Sequence, residues 1–325
     1  MRKIHRVIYR KTPFPYLLNQ SKKWHLPGFE GLPLYDVIMF FRKSIRSQSL
    51  TERAAAISYN FIMALPPSLL FLFTIIPHLP FISVKSIKFQ LHALIYDIIP
   101  AKGHNQSIIA FIDSFLDGAR IGLLSFGLLF ALFFASNAMM GLMRSFNKKY
   151  LGFEERKGLH KRWIAIKLTI LIFGLLLAYL ILLIMQGALL NLLVKSSDWK
   201  QFIFYTRWLL IVLLVFFAIA FIFKYAPAIQ KRWKLVSPGA MLTTFLSLLA
   251  SLGFSAFVNN FGKYNALYGA IGTIMMLMAL VFINSLALLI GFELNVSISS
   301  LKVIAAEREA EEKAKAMENV RMENG

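Results

Sequence analysis

The amino-acid sequence predicts an all-α fold: a polytopic membrane helix bundle with about six transmembrane helices and additional interfacial helices. Hydrophobic residues make up 58% of the 325 residues. They are gathered in blocks of about 20, the length that crosses a hydrocarbon core of roughly 30 Å. Blocks such as Leu168 to Met185 are apolar on every face, whereas strands of a membrane barrel alternate over about ten residues. The blocks are therefore predicted to be helices.

Six candidate spans follow from these blocks. Their predicted bounds are 54–79, 121–143, 164–190, 203–226, 236–258 and 267–296. They form a predicted transmembrane domain, 51–300, between a basic N-terminal segment with an interfacial helix, 1–50, and a charged tail, 301–325. The tail mixes Glu, Lys and Ala, which is typical of a solvated helix or a frayed segment with i,i+4 ion pairs.

The basic residues lie almost wholly between the apolar blocks. Alternate connections carry 11, 7, 4 and 5 Lys and Arg residues, and the other set carries 4, 2 and 1. By the positive-inside rule the richer set faces the cytoplasm, which predicts a protein of the bacterial cytoplasmic (inner) membrane with both termini inside. The N-terminus has no signal-peptide pattern, so we expect it to stay inside. The net charge of +20 then reports orientation and does not indicate nucleic acid as a partner.

Amphipathic segments predict helices outside the spans. Residues 34–47 place apolar side chains on one helical face and keep Arg42, Lys43 and Arg46 off it. This pattern favours a helix that lies in the inner membrane surface or one that packs under the bundle. The outer connection, 80–120, contains two more such segments, which we expect to cap the outer mouth or lie along the outer leaflet.

The first span is interrupted by Asn60, Pro66 and Pro67. Each proline lacks an N–H, so the carbonyls of Ile62 and Met63 lose their helical donors and the helix should bend. Freed carbonyls near the midplane bind ions or polar groups in the broken helices of transporters. A plain structural kink is the alternative.

Small polar residues recur every four positions in the fifth span. They are Thr243, Ser247, Ser251, Ser255 and Asn259. The stripe favours either close helix packing with interhelical hydrogen bonds or the lining of a hydrated path.

Two charged residues lie inside predicted spans at informative depths. Glu293 is the only carboxylate within the six spans, which suggests proton or cation coupling; the alternative is an ion pair with Lys167 or Arg53. Arg207, near the outer boundary of the fourth span, either extends to the headgroups or binds an anionic headgroup or substrate.

No catalytic, cofactor or metal site is predicted. The six histidines are scattered without an HExxH or HxH cluster, and there are no cysteines. Phosphate-binding GxxxxGK[ST] and GxGxxG motifs and the GxSxG elbow are missing from the sequence.

Four stretches resemble the YihY/BrkB family of bacterial inner-membrane proteins. They are Arg53–Asn60 leading into Leu65–Pro67, Ser237–Ala240, Tyr264–Gly272 and Gly291–Asn295. Order and spacing agree across roughly 50–300. One departure is Phe282-Ile283-Asn284, where the family often has a Trp-Tyr pair.

The resemblance implies an envelope role. Members were long labelled ribonuclease BN, a label that looks like misassignment, and the usual suggestions are envelope integrity and movement of lipids. We therefore expect a non-enzymatic protein that contacts membrane lipids and moves a lipid-like substrate. A scaffolding protein is the second hypothesis, and a ribonuclease is the least favoured.

Overall fold

Seven helices make up most of the part of the chain that the computed structural model describes. That part comprises residues 22, 24–47, 49–75, 121–147, 150, 153–154, 158–193, 198–229, 232–260 and 262–323, with scattered positions between 85 and 114. The helices are α1 (Leu34–Ser47), α2 (Leu50–Ile75), α3 (Ile121–Phe146), α4 (Gly158–Leu193), α5 (Asp198–Tyr225), α6 (Pro238–Asn260) and α7 (Gly262–Glu323). No strand occurs among these residues, and Phe153 and Ile229 form one isolated antiparallel bridge.

The predicted all-α membrane bundle is confirmed. Each of the six predicted spans corresponds to one helix, α2 to α7. By length and apolar composition, five helices of the described chain qualify as membrane spans, namely α3 to α7. α2 is 26 residues long but carries Glu52 and Arg53 in its first turns. That α2 crosses the membrane stays a prediction.

The six long helices form a closed ring. Each helix from α2 to α6 packs against the next one in the chain, and α7 returns to pack against α2. The most extensive contact joins α2 and α3. Asn60 of α2 lies against Gly141 of α3, where an added Cβ would come within 2.7 Å of the Asn60 amide nitrogen.

Helix α1 packs under the bundle, against α7. Val37 is fully buried there beside Phe29 and Ile298. Of the two predicted placements of this helix, packing under the bundle is therefore confirmed for this face. Arg42, Lys43 and Arg46 stay exposed on the other face, as the sequence pattern predicts.

Helix α7 continues far beyond its predicted span, 267–296, and passes the predicted domain boundary at 300 without a break. Its side chains are exposed from Ala305 to Met317, and Lys313 pairs with Glu309 one turn earlier at 2.6 Å. The tail is therefore a solvated helix with an i,i+4 pair, one of the two predicted forms.

The outer connection is described only at scattered positions. Residues 88, 89, 91 and 92 are helical, as are 109, 110, 113 and 114. His92 Nε2 lies 3.1 Å from an Asp113 carboxylate oxygen, and Lys88 Nζ lies 3.4 Å from the same atom. The two predicted amphipathic segments thus contact each other.

Candidate functional site

A buried ion pair joins the first and last helices of the ring. Arg53 Nη1 lies 2.6 Å from Glu293 Oε1, and the two side chains are 6% and 0% exposed. The Tyr150 hydroxyl donates to the same carboxylate oxygen at 2.6 Å. Ser44 of α1 donates to Oε2 at 2.7 Å. We call these four residues the network, and the end of the bundle that contains them the network end.

The network is electrically balanced and closed. The second guanidinium nitrogen of Arg53 donates to the Ser145 carbonyl at 2.7 Å, and Glu293 accepts three hydrogen bonds. Burial and the Glu293 carboxylate raise the pKa of Tyr150 well above its usual value, so its hydroxyl stays a donor at physiological pH. Within the described residues, Arg53 Nε has no hydrogen-bond partner. The sequence allows two interpretations of Glu293, and this ion pair with Arg53 corresponds to the second of them.

Aromatic rings fill the bundle beside the network. Phe292 stacks on Phe146 with ring centres 4.0 Å apart. Phe223, Trp233 and Tyr150 pack edge-on or tilted around Phe292, with centres 5.7 to 6.3 Å away. Such clusters bury large apolar surfaces. The network end is therefore sealed by a packed aromatic core.

Helices α6 and α7 cross closely at the same end. An added Cβ on Gly291 would collide with Thr243 Oγ1 and the Gly239 carbonyl oxygen. Ser237 caps α6, since its hydroxyl accepts from the Ala240 amide at 3.2 Å. Asn295 accepts from the Gly239 amide at 2.8 Å and donates to the Ser237 hydroxyl at 2.9 Å. Three of the four stretches that carry the family resemblance thus meet here.

The polar stripe of α6 changes its surroundings along the helix. Thr243 and Ser247 are buried against the bundle, whereas Ser251 and Ser255 are exposed. Between 251 and 257 only Phe254 is partly buried, and the other positions are exposed. Seven residues cover almost two helical turns, so exposed positions occur on nearly every side of this part of α6.

The neighbouring helix, α7, is also exposed at a similar distance from the network end. On α7, Ile274, Met275, Leu277, Met278 and Ala279 are exposed. In a close-packed ring one face of each helix is buried against its neighbours. We call this loosely packed part, which includes 251–257 and 274–279, the distal half.

The predicted site residues do not form one cluster. Glu293 lies in the closed network, while Ser251 and Ser255 lie in the distal half. Asn60 donates to the Ala56 carbonyl at 2.7 Å and packs on α3. The helix continues through exposed Pro66 and partly buried Pro67. The side chains of Asn259 and Arg207 lie outside the described part of the chain.

Sequence reasoning missed Tyr150 and Ser44. Tyr150 lies in the connection after α3, where no periodic pattern singles it out. Ser44 did leave a signal, because it lies seven residues after Val37 and so shares its buried helical face. A polar residue at such a position needs a partner, which is Glu293. Among the described residues, no three of His, Asp and Glu lie close enough together to hold a metal ion.

The fold is that of a polytopic membrane protein, a multi-span helix bundle in which a buried ion pair joins α2 and α7 at one end. Within this class, the model of the family described as virulence factor BrkB matches residues 41–318. The chain belongs to the BrkB family, and the resemblance inferred from the sequence motifs is confirmed.

Individual relatives carry general names. The chain is 30% identical over 270 residues to YfkH of Bacillus subtilis, a protein described as ribonuclease-like; the match covers 79% of this chain and 92% of YfkH. It is 28% identical over 250 residues to a UPF0761 membrane protein of Chromohalobacter salexigens, covering 75% of this chain and 58% of that protein. A UPF0761 membrane protein of Tolumonas auensis is 35% identical over 75 residues, 23% of this chain and 25% of that protein. No solved structure matches the chain.

Proposed function

We propose that the protein moves a lipid or another amphipathic envelope component across the bacterial cytoplasmic membrane. The observation that carries the proposal is the contrast in packing along α6, from buried Thr243 and Ser247 to exposed Ser251 and Ser255. A ring that is closely packed at one end and more loosely packed at the other would offer a space open to lipid and water from one side. A carrier that is open to one side of the membrane presents such a space.

The polar residues of the distal half supply the proposed path. Ser251 and Ser255, with Asn259 further along the helix, offer hydroxyl and amide groups to a headgroup, while the surrounding leucine and methionine side chains suit acyl chains. The carbonyls freed by Pro66 and Pro67 add acceptors on α2. Arg207 is the proposed contact for an anionic headgroup.

We assign Glu293 to closing the network end, because its carboxylate is fully buried and accepts hydrogen bonds from Arg53, Tyr150 and Ser44. Movement would then be passive, along the concentration gradient of the substrate. The network end would face the cytoplasm, as the distribution of Lys and Arg between connections favours. The proposed function contains no covalent step, and the ribonuclease-like description belongs to YfkH.

The test uses purified full-length protein in liposomes that carry a fluorescent phospholipid in both leaflets. Dithionite quenches the outer leaflet, and quenching beyond one half reports movement between leaflets. We expect protein-dependent quenching that slows in Ser255→Trp, since a large ring narrows the distal opening. Phe245→Trp, at an exposed site on the packed part of the same helix, is the matched control and should behave as wild type.

Two outcomes would reject the proposal. One is a lipid flux that equals protein-free liposomes although the protein is monodisperse and helical by circular dichroism. The other is a protein-dependent flux that Ser255→Trp and Phe245→Trp change equally.

A scaffolding function is the second candidate, favoured by the exposed helix from Ala305 to Met317. Its charged surface is available to a cytoplasmic partner. A chain ending at Lys302 separates the two functions: under the transport proposal it keeps its lipid flux and its role in the envelope. A truncated chain that moves lipid but fails to restore envelope integrity in a deletion strain would favour scaffolding.

A further inference from the structure

The exposed face of α1 carries an unusual concentration of positive charge. Met39, Arg42, Lys43 and Arg46 follow the i, i+3, i+4, i+7 pattern of one helical face. They line an open surface groove of about 540 Å³. None of the three basic residues forms an ion pair with another described residue. The groove therefore offers three uncompensated cations within two helical turns.

Apolar side chains border this charge. Ile38 is 50% exposed and Met39 is 49% exposed, although large aliphatic side chains are most often buried. Trp24, which precedes α1 and binds its first turn through a hydrogen bond from the Leu34 amide to the Trp24 carbonyl, is also half exposed. Exposed aliphatic side chains beside basic ones, with a tryptophan at the start of the helix, are typical of the boundary between headgroups and acyl chains.

The opposite face of α1 fixes the helix to the bundle. Val37 is buried against Ile298 of α7, and Ser44 donates to Glu293. The basic face is thus held in one orientation at the network end, where the membrane surface of that side must lie. A helix attached on one face and cationic and apolar on the other is suited to an anionic interface.

We propose that Arg42, Lys43 and Arg46 form a binding site for the headgroups of anionic phospholipids. This inference is independent of the proposed transport, because it concerns the opposite end of the bundle. The guanidinium groups bind phosphate oxygens in pairs, and Ile38 and Met39 contact the first methylenes of the acyl chains. Charge complementarity selects phosphatidylglycerol over zwitterionic phosphatidylcholine.

The test counts lipids bound to the full-length protein by native mass spectrometry, in micelles that contain equal amounts of dioctanoyl phosphatidylglycerol and dioctanoyl phosphatidylcholine. Wild type is expected to prefer phosphatidylglycerol. R42Q/K43Q/R46Q should lose this preference, with affinity lower on the order of 100-fold, because each basic residue near an anionic surface contributes about a factor of five. R308Q/K313Q/K315Q removes the same charge from the exposed tail and should keep the preference.

A second measurement shows whether the variant is folded and the site stabilises the protein. Phosphatidylglycerol should raise the melting temperature of wild type and of the tail variant but not that of R42Q/K43Q/R46Q. Equal phosphatidylglycerol binding by all three proteins would overturn the proposal. Equally strong binding of glycerol phosphate without acyl chains would also overturn it, since the site would then recognise a soluble anion.

Discussion

The two ends of the helix ring differ in what holds them together. At the network end, an ion pair, a close α6–α7 crossing and a stack of aromatic rings join five helices, α2, α3, α5, α6 and α7, and two connections. In the distal half, α6 and α7 expose leucine, methionine and serine side chains on several faces. Among the described residues, the specific contacts between helices are therefore concentrated at the network end.

The largest expected effect comes from breaking the ion pair. Glu293→Gln leaves the buried Arg53 charge uncompensated, which should lower the free energy of unfolding by about 3–5 kcal/mol. Arg53→Met combined with Glu293→Leu removes both charges and should recover most of that loss, although Tyr150 and Ser44 lose their acceptor. The measurement is denaturation in mixed detergent and SDS micelles.

The distal half supplies the control for this experiment. Ser255→Ala changes an exposed side chain and should alter the free energy of unfolding by less than about 0.5 kcal/mol. If Ser255→Ala and Glu293→Gln were equally destabilising, the contrast between the two ends would be wrong.

Glycine substitutions test the same contrast with a single added methyl group. Gly291→Ala places a Cβ against Thr243 and the Gly239 carbonyl and should cost about 1–3 kcal/mol of folding free energy. A Cβ on Gly253, in the distal half of α6, would have no atom within 4 Å. Gly253→Ala should therefore stabilise the helix by up to about 1 kcal/mol. Loss of stability in Gly253→Ala would indicate close packing there.

The smallest change in stability, and the most direct view of the opening, comes from single cysteines. The chain contains no cysteine, so Ser255→Cys and Ser247→Cys each introduce one thiol on the same stripe. We expect a small maleimide to modify the Ser255→Cys protein about 10-fold faster, because thiol reactivity follows exposure. Equal rates would show that the stripe has one environment throughout, and mass spectrometry would follow the modification.

The helices of the bundle could be predicted from the sequence because membrane thickness sets the length of the apolar blocks. The bounds of α3, α5 and α6 lie within a few residues of their predictions. The end of α7 was not predictable in this way, since the chain simply continues as a helix after it leaves the apolar block. The charge pattern of 301–325 favours a helix but does not say whether it joins the span.

The candidate site was only partly predictable. Glu293 stands out as a lone carboxylate in an apolar span, and charge balance suggests Arg53 as its partner. Tyr150 lies 97 positions from Arg53 and 143 from Glu293, and only the fold brings the three together. The four-residue spacing of the α6 stripe predicts a shared face, but packing against other helices decides which part of it is covered.

The continuity of α7 has a mechanical consequence. No glycine or proline occurs between Phe292 and Glu323, so the helix has no residue of the kind that usually produces a kink. About 20 residues project beyond the bundle, a rod of roughly 30 Å at 1.5 Å per residue. Since about 32 residues, or roughly 48 Å, separate the Gly291 crossing from the tip, a tilt of about 10° there would displace the tip by roughly 8 Å. A small change of helix packing inside the membrane would thus cause a larger displacement of the exposed end of α7.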